Sequence, residues 1–299
     1  MLGTFEDAFK AIVGPDTFET YGRLNPEQAN EFIDFMTDDQ VVLKMCDVQK
    51  MQGTEKNLDI LGIGTRVLRK RVAGQEGTGI SVTPTQKQLR TVGTKLTAEV
   101  SYDTLKVNIA KEDLLTHFMK LCATQIGNDV EDLGFNGDIT SADDFLNIND
   151  GWLKHALDGN IYDTNASVDY LGVVFPGMLA KLPAKYRVRR DELAFMVHPD
   201  VLDAYVKQLG ALGGQAYEMV IRGLEQPKYA NIEIVGAPYT SSVKHILTQK
   251  KNLVHGVNTE GIMVEMGRDI KKQTIISVFS IDLDYKVLND ASLVLGYNA

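Results

Sequence analysis

Between Lys111 and Leu133 an apolar residue falls at positions 114, 115, 118, 122, 126, 130 and 133, and no proline interrupts the interval. That recurrence follows the helical period and predicts one long helix with a single apolar stripe, weakened only at Gly127. Some 20 helical residues extend about 30 Å, so this element predicts a spine on which others pack. Gly134, Asn136 and Gly137 carry the residue types that stop a helix and open a turn.

Upstream, the chain changes character twice. Residues 1–40 hold two amphipathic pieces, Phe5 to Ile12 and Pro26 to Met36, the second with Asn25 as N-cap and Pro26 in the first turn. A polar, glycine-containing stretch parts them, which predicts a thinly packed arm. Residues 52–94 place glycine at 53, 62, 64, 74, 77, 79 and 93 between short β-prone runs, the pattern of a long two-stranded hairpin. Seven bases stand against three acids there, a local +4 in a chain of net charge -9. A hairpin so poor in large apolar residues does not hold itself up alone and is expected to rest on another subunit. Its bases would meet a neighbour's acids; a solvated hairpin is the competing reading. Leu96 to Leu105 alternates as a half-buried strand does.

Downstream of an Asp- and Asn-rich loop at 138–151, helices and strands alternate, which predicts an α/β region. Residues 168–182 are predicted helical and closed by Pro183, 193–197 a buried strand, and 199–207 a helix opened by Pro199. Strands are further expected at 231–235, 245–248, 262–266, 274–283 and 291–295, the last three antiparallel.

The search for chemistry returns little. Gly62-Ile-Gly64 lacks the third glycine of a dinucleotide fingerprint, and no P-loop or Gly-x-Ser-x-Gly elbow occurs. The histidines at 117, 155, 198, 245 and 255 form no metal-ligand spacing, so structural or surface roles are expected. Cys46 and Cys122 lie in apolar surroundings and are expected to be buried free thiols. Glu131-Asp132 and Asp143-Asp144 are adjacent acids, which do not face each other on a helix and are expected to be solvated. Asn147 to Gly151 echoes a calcium loop with its glycine misplaced and its closing acid missing. The runs Arg66 to Arg71 and Arg187 to Arg190 suit solvated faces or intersubunit pairs better than a dedicated nucleic-acid site, given the acidic total. No catalytic, cofactor or metal site is therefore assigned, and no enzyme activity is expected. No apolar run approaches the roughly 18 residues of a membrane helix, and no secretory signal is evident, so cytosol-like conditions and no membrane partner are expected.

The order arm, basic glycine-rich hairpin, strand, long helix, α/β lobe and closing strands resembles the major capsid proteins of tailed phages with the Hong Kong 97-type (HK97-like) fold. Four passages carry the likeness: Val100 to Asn108, Ile126 to Asp138, Leu179 to Val197, and Thr248 to Gly256 leading into Ile262. The resemblance spans nearly the whole chain and implies an α+β fold of four parts. These are an N-terminal arm (1–51), an extended loop (52–94), a peripheral domain (95–137 and 261–299) holding the spine helix (about 111–133), and an α/β axial domain (138–260). It further implies a shell subunit forming hexamers and pentamers of an icosahedral head around double-stranded DNA contacted non-specifically, assembled in the host cytoplasm with a portal and a decoration protein as partners. With Met1 as the start, no long segment remains for cleavage, which implies a separate scaffolding protein. Arg66, Arg69, Lys70 and Arg71 are the expected intersubunit contacts. Lys56, Lys70 and Lys87 are the loop lysines open to a covalent crosslink, and none is assigned one. A nanocompartment shell of the encapsulin kind, told apart by its cargo, and a soluble α/β enzyme with a dispersed site remain as alternatives.

Overall fold

The computed structural model describes residues 20–23, 30, 32–34, 36–37, 40–62, 83–101, 111–213, 218, 220 and 226–297. The first amphipathic piece, the hairpin tip and the end of the strand expected to reach Leu105 lie outside them.

Helix α1 runs Lys111–Asn136, 26 residues, or about 40 Å. Of its predicted stripe, Cys122, Ile126, Val130 and Leu133 are buried. The helix continues past Leu133 because Gly134 is where two rings press on its backbone: a Cβ there would meet Trp152 and Tyr285 at 3.0 Å. Trp152 is fully buried, edge-on to Phe135 and to Tyr285 with centroids 5.3 Å apart in each pair, and its indole donates to the Val254 carbonyl at 3.1 Å. At Gly137, a Cβ would lie 2.3 Å from the Asn149 carbonyl, so only glycine lets the loop close there.

The helix covers a five-stranded sheet. Its long members are β11 (Leu253–Asp269) and β12 (Thr274–Val287), antiparallel, flanked by β5 (Val92–Ser101) beyond β12. The other edge of β11 takes two strands, β2 (Asp47–Met51) in parallel along Val254 to Asn258, and β1 (Thr20–Arg23) antiparallel along Met263 to Met266. The strands on β11 and β12 extend beyond those predicted, since β11 begins at Leu253 rather than 262.

The segment expected to be a thinly packed arm contributes both strands and core. Residues 30, 32–34 and 36–37 are helical, and Phe32, Ile33 and Met36 are buried with the α1 stripe. β1 lies in the polar stretch where no strand was predicted; it joins by backbone pairing at a sheet edge, which asks little of side-chain propensity.

A second sheet has the order β6-β13-β10-β7-β9-β8, with β6 Asn160–Asp163, β7 Leu193–Val197, β8 Lys228–Tyr229, β9 Ile232–Gly236, β10 Lys244–Gln249 and β13 Val294–Tyr297. β7 is buried at all five positions, as a central strand must be. The predicted helix at 168–182 starts instead at Tyr170, as a π-helical turn that passes into α3 (Phe175–Lys181); short α2 (Trp152–His155) precedes it, and short α4 (Ala184–Arg187) and longer α5 (Pro199–Leu212) follow. β13 pairs antiparallel with β10 and parallel with β6. The closing strands are thus divided between the two sheets rather than forming one antiparallel set.

Two connections near one another pass between the sheets, β10 to β11 and β12 to β13, and a reciprocal asparagine pair joins them. Asn252 Nδ2 donates to the Asn289 carbonyl at 3.0 Å, Asn289 N–H donates to Asn252 Oδ1 at 2.8 Å, and Leu288 N–H donates to the Asn252 carbonyl at 2.9 Å.

Candidate assembly surfaces

β3 (Glu55–Gly62) and β4 (Thr83–Arg90) form a two-stranded sheet, in register from Glu55 opposite Arg90 to Gly62 opposite Thr83. Its base is seated by Leu58 and Leu89, buried with Met51 and Val254. The hairpin's described bases make contacts within their own chain. Lys87 Nζ donates to the Val287 carbonyl at 2.7 Å and to Asp290 at 2.7 Å, Arg90 pairs with Glu55 at 3.0 Å, and Lys56 donates to Gln49 at 2.8 Å. Near the base of a ribbon, an acid of the same chain is simply the nearest partner. Arg66, Arg69, Lys70 and Arg71 lie outside the described residues.

Glu131 corrects the reading of Glu131-Asp132 as a solvated pair. It is fully buried, one oxygen accepts from Val42 N–H at 3.2 Å, and the other has no partner. Burial pushes its carboxyl up, against hydrogen bonds from the Val42 and Leu43 backbone. Burial, then the nearby carboxylates of Glu131 and Asp47, also push the Cys46 thiol up. Ala123, Gly127 and Glu131 form an i, i+4, i+8 row on α1 beside the stripe, and Gly127 takes the Met36 carbonyl and Gln40 at close range. That row, broken by a glycine and an acid, is what a search for apolar periodicity passes over.

In the loop at 138–151, Lys154 sits between Asp138 and Asp150, supplying internally the positive charge a cation would bring. Hydrogen bonds from Lys154 and Thr140 hold the Asp138 carboxyl down to about 2. Among the described residues no three metal-ligating side chains gather. His198 caps α5 by accepting from Asp200 N–H at 3.2 Å, and His155 lies 3.3 Å from Lys286. His245 and His255 are buried, and burial pushes their pKa values down to about 4 and about 3. His255 stacks on Tyr285 at 5.0 Å with neither ring nitrogen bonded. Both cysteines are buried and free.

A second basic surface spans 181–190, with Lys181, Lys185, Arg189 and Arg190 exposed and Arg187 half-buried. It is held to the body through Tyr186, whose hydroxyl accepts from Asn289 Nδ2 at 2.7 Å, and through Arg190, which donates to the Ala230 carbonyl at 3.1 Å.

No protein-family model matches the chain. In fold it is similar to a chain of the satellite phage P4 procapsid including size determination (Sid) protein, with TM-score 0.70 and 15% identity over 100% of this chain and 98% of that one. It is likewise similar to a chain of the capsid of the native GTA particle, with TM-score 0.65 and 12% identity over 87% and 90%. The long helix across a sheet, the second α/β sheet and the two-stranded hairpin thus make up an HK97-type α+β fold. In sequence the chain is 30% identical, over 92% of its length and 92% of the other's, to YqbE of Bacillus subtilis (strain 168), named as a prophage capsid protein. The chain belongs to the family of phage major capsid proteins, and its place is the capsid of the virion.

Proposed function

We propose that copies of this chain form hexamers and pentamers that close into an icosahedral head around double-stranded DNA. Within it, α1 is the spine of the peripheral domain, the six-stranded sheet is the axial domain, and residues 52–94 are the extended loop. The observation that carries this reading is the β3–β4 ribbon. Among the described residues no third strand joins it, a two-stranded ribbon is marginal alone, and residues 63–82 between its strands carry four bases, Arg66, Arg69, Lys70 and Arg71. The rest of the chain is acidic enough to receive them, because 52–94 hold +4 of a total of -9. Contacts of unlike surfaces that close into rings, multiplied by reaching loops, are how one chain tiles a shell. A scaffolding protein, a portal and a decoration protein complete the proposed partners, with assembly in the host cytoplasm and DNA contacted without sequence preference.

Electron microscopy of the purified protein, alone and co-expressed with its genomic neighbours, tests this. Hollow polyhedral particles or rings of five and six subunits are expected, with DNA rather than enzyme cargo inside when the neighbours are present. A monodisperse monomer or dimer under both conditions overturns the reading.

A further inference from the structure

The basic surface at 181–190 holds five bases and no acid, which leaves -14 on the rest of the chain. Arg189 is answered by Glu192 at 3.0 Å, but no carboxylate pairs with Lys181, Lys185 or Arg187 among the described residues. Val188, in their midst, is 81% exposed. A phosphate-facing surface has no use for a projecting valine; an interface between proteins does, as an apolar centre inside a charged rim.

The complement is on the same chain. Residues 138–158 hold five aspartates and one lysine. Lys154 pairs with both Asp138 and Asp150 and offsets one of their two charges, and among the described residues no cation pairs with the exposed Asp143, Asp144 and Asp158. Ile139 and Leu157 project beside them, 53% and 51% exposed. We infer that the 181–190 surface of one copy docks on the 138–158 surface of the next. This rests on the capsid reading and adds to it a contact distinct from the hairpin. Because the two patches are unlike, the contact is heterologous and propagates around a ring.

The test is a charge swap in the full-length chain, with circular dichroism and the fluorescence of Trp152 confirming the fold. Lys185→Glu with Arg187→Glu, and separately Asp144→Lys with Asp158→Lys, are each expected to raise the concentration needed for particles about tenfold at low salt, with a smaller shift for Lys185→Gln with Arg187→Gln. All four reversals in one chain restore closed particles. An equimolar mixture of the two reversed chains restores six-membered rings but not five-membered ones, because an odd ring cannot alternate. Reversed variants that assemble at the wild-type concentration overturn the inference, whether or not they package less DNA, and so does a fourfold variant that stays unassembled. If the wild-type chain itself never forms rings or particles, the capsid reading fails and this inference with it.

Discussion

Glu131 of the long helix accepts the Val42 N–H at 3.2 Å with one carboxylate oxygen and leaves the other unbonded in the core. Removing the side chain in Glu131→Ala leaves the Val42 N–H buried without a partner, at an expected cost of about 2 kcal/mol. Burial raises the carboxyl pKa above its ordinary 4.5, so the folded chain binds this proton more tightly than the unfolded one. Its contribution is full below pH 4.5 and is lost as the pH climbs through the raised value. Glu131→Gln, which mimics the protonated form, is expected to gain on wild type between pH 4.5 and 7 in urea midpoints. Parallel pH profiles refute this.

His255 has the opposite sign. Its pKa falls from 6.5 unfolded to about 3 folded because of burial, so its contribution is present above pH 6.5 and lost as the pH drops toward 3. His255→Phe keeps a ring stacked on Tyr285 and removes the titration. The variant is expected to hold its thermal midpoint from pH 6.5 to 4 better than wild type; an equal fall in both counts against it.

Lys87 fastens the hairpin base to the end of β12 through the Val287 carbonyl and Asp290. Lys87→Met keeps the stem and removes the bonds to both partners, with an expected loss of about 1 kcal/mol. Hydrogen exchange is expected to quicken in 55–62 and 83–90 while β7 is unchanged, and unaltered exchange in the hairpin base speaks against the fastening.

Gly127→Ala sets helix propensity against packing. Alanine favours the helix by about 1 kcal/mol, but its Cβ would stand 2.9 Å from Gln40 Nε2 and 3.1 Å from the Met36 carbonyl, and the carbonyl is backbone. A net loss of about 1 kcal/mol is expected. Gly267→Ala, with nothing within 4 Å, is the control and should not lose stability by steric clash.

That contrast also shows where the sequence was legible. Cys122, Ile126, Val130 and Leu133 declare one buried face through their spacing, and Leu193 to Val197 declare a central strand by being apolar throughout. The second buried face of the helix is invisible to the same method, because Gly127 and Glu131 are chosen for a close backbone approach and a cap, not for hydrophobicity. β1 and β2 were missed for a related reason: their place depends on the edge of β11, more than 200 residues away in sequence. The basic hairpin was legible as charge, but no charge pattern says that Lys87 and Arg90 close on their own chain.

The reciprocal bonding of Asn252 and Asn289 gives the subunit its mechanics. With both strand crossings between the sheets tied to each other, a bend at that joint must break several hydrogen bonds together, so load applied to one sheet is carried into the other. The two sheets are therefore expected to turn as one body, since a hinge at this joint would cost those bonds together.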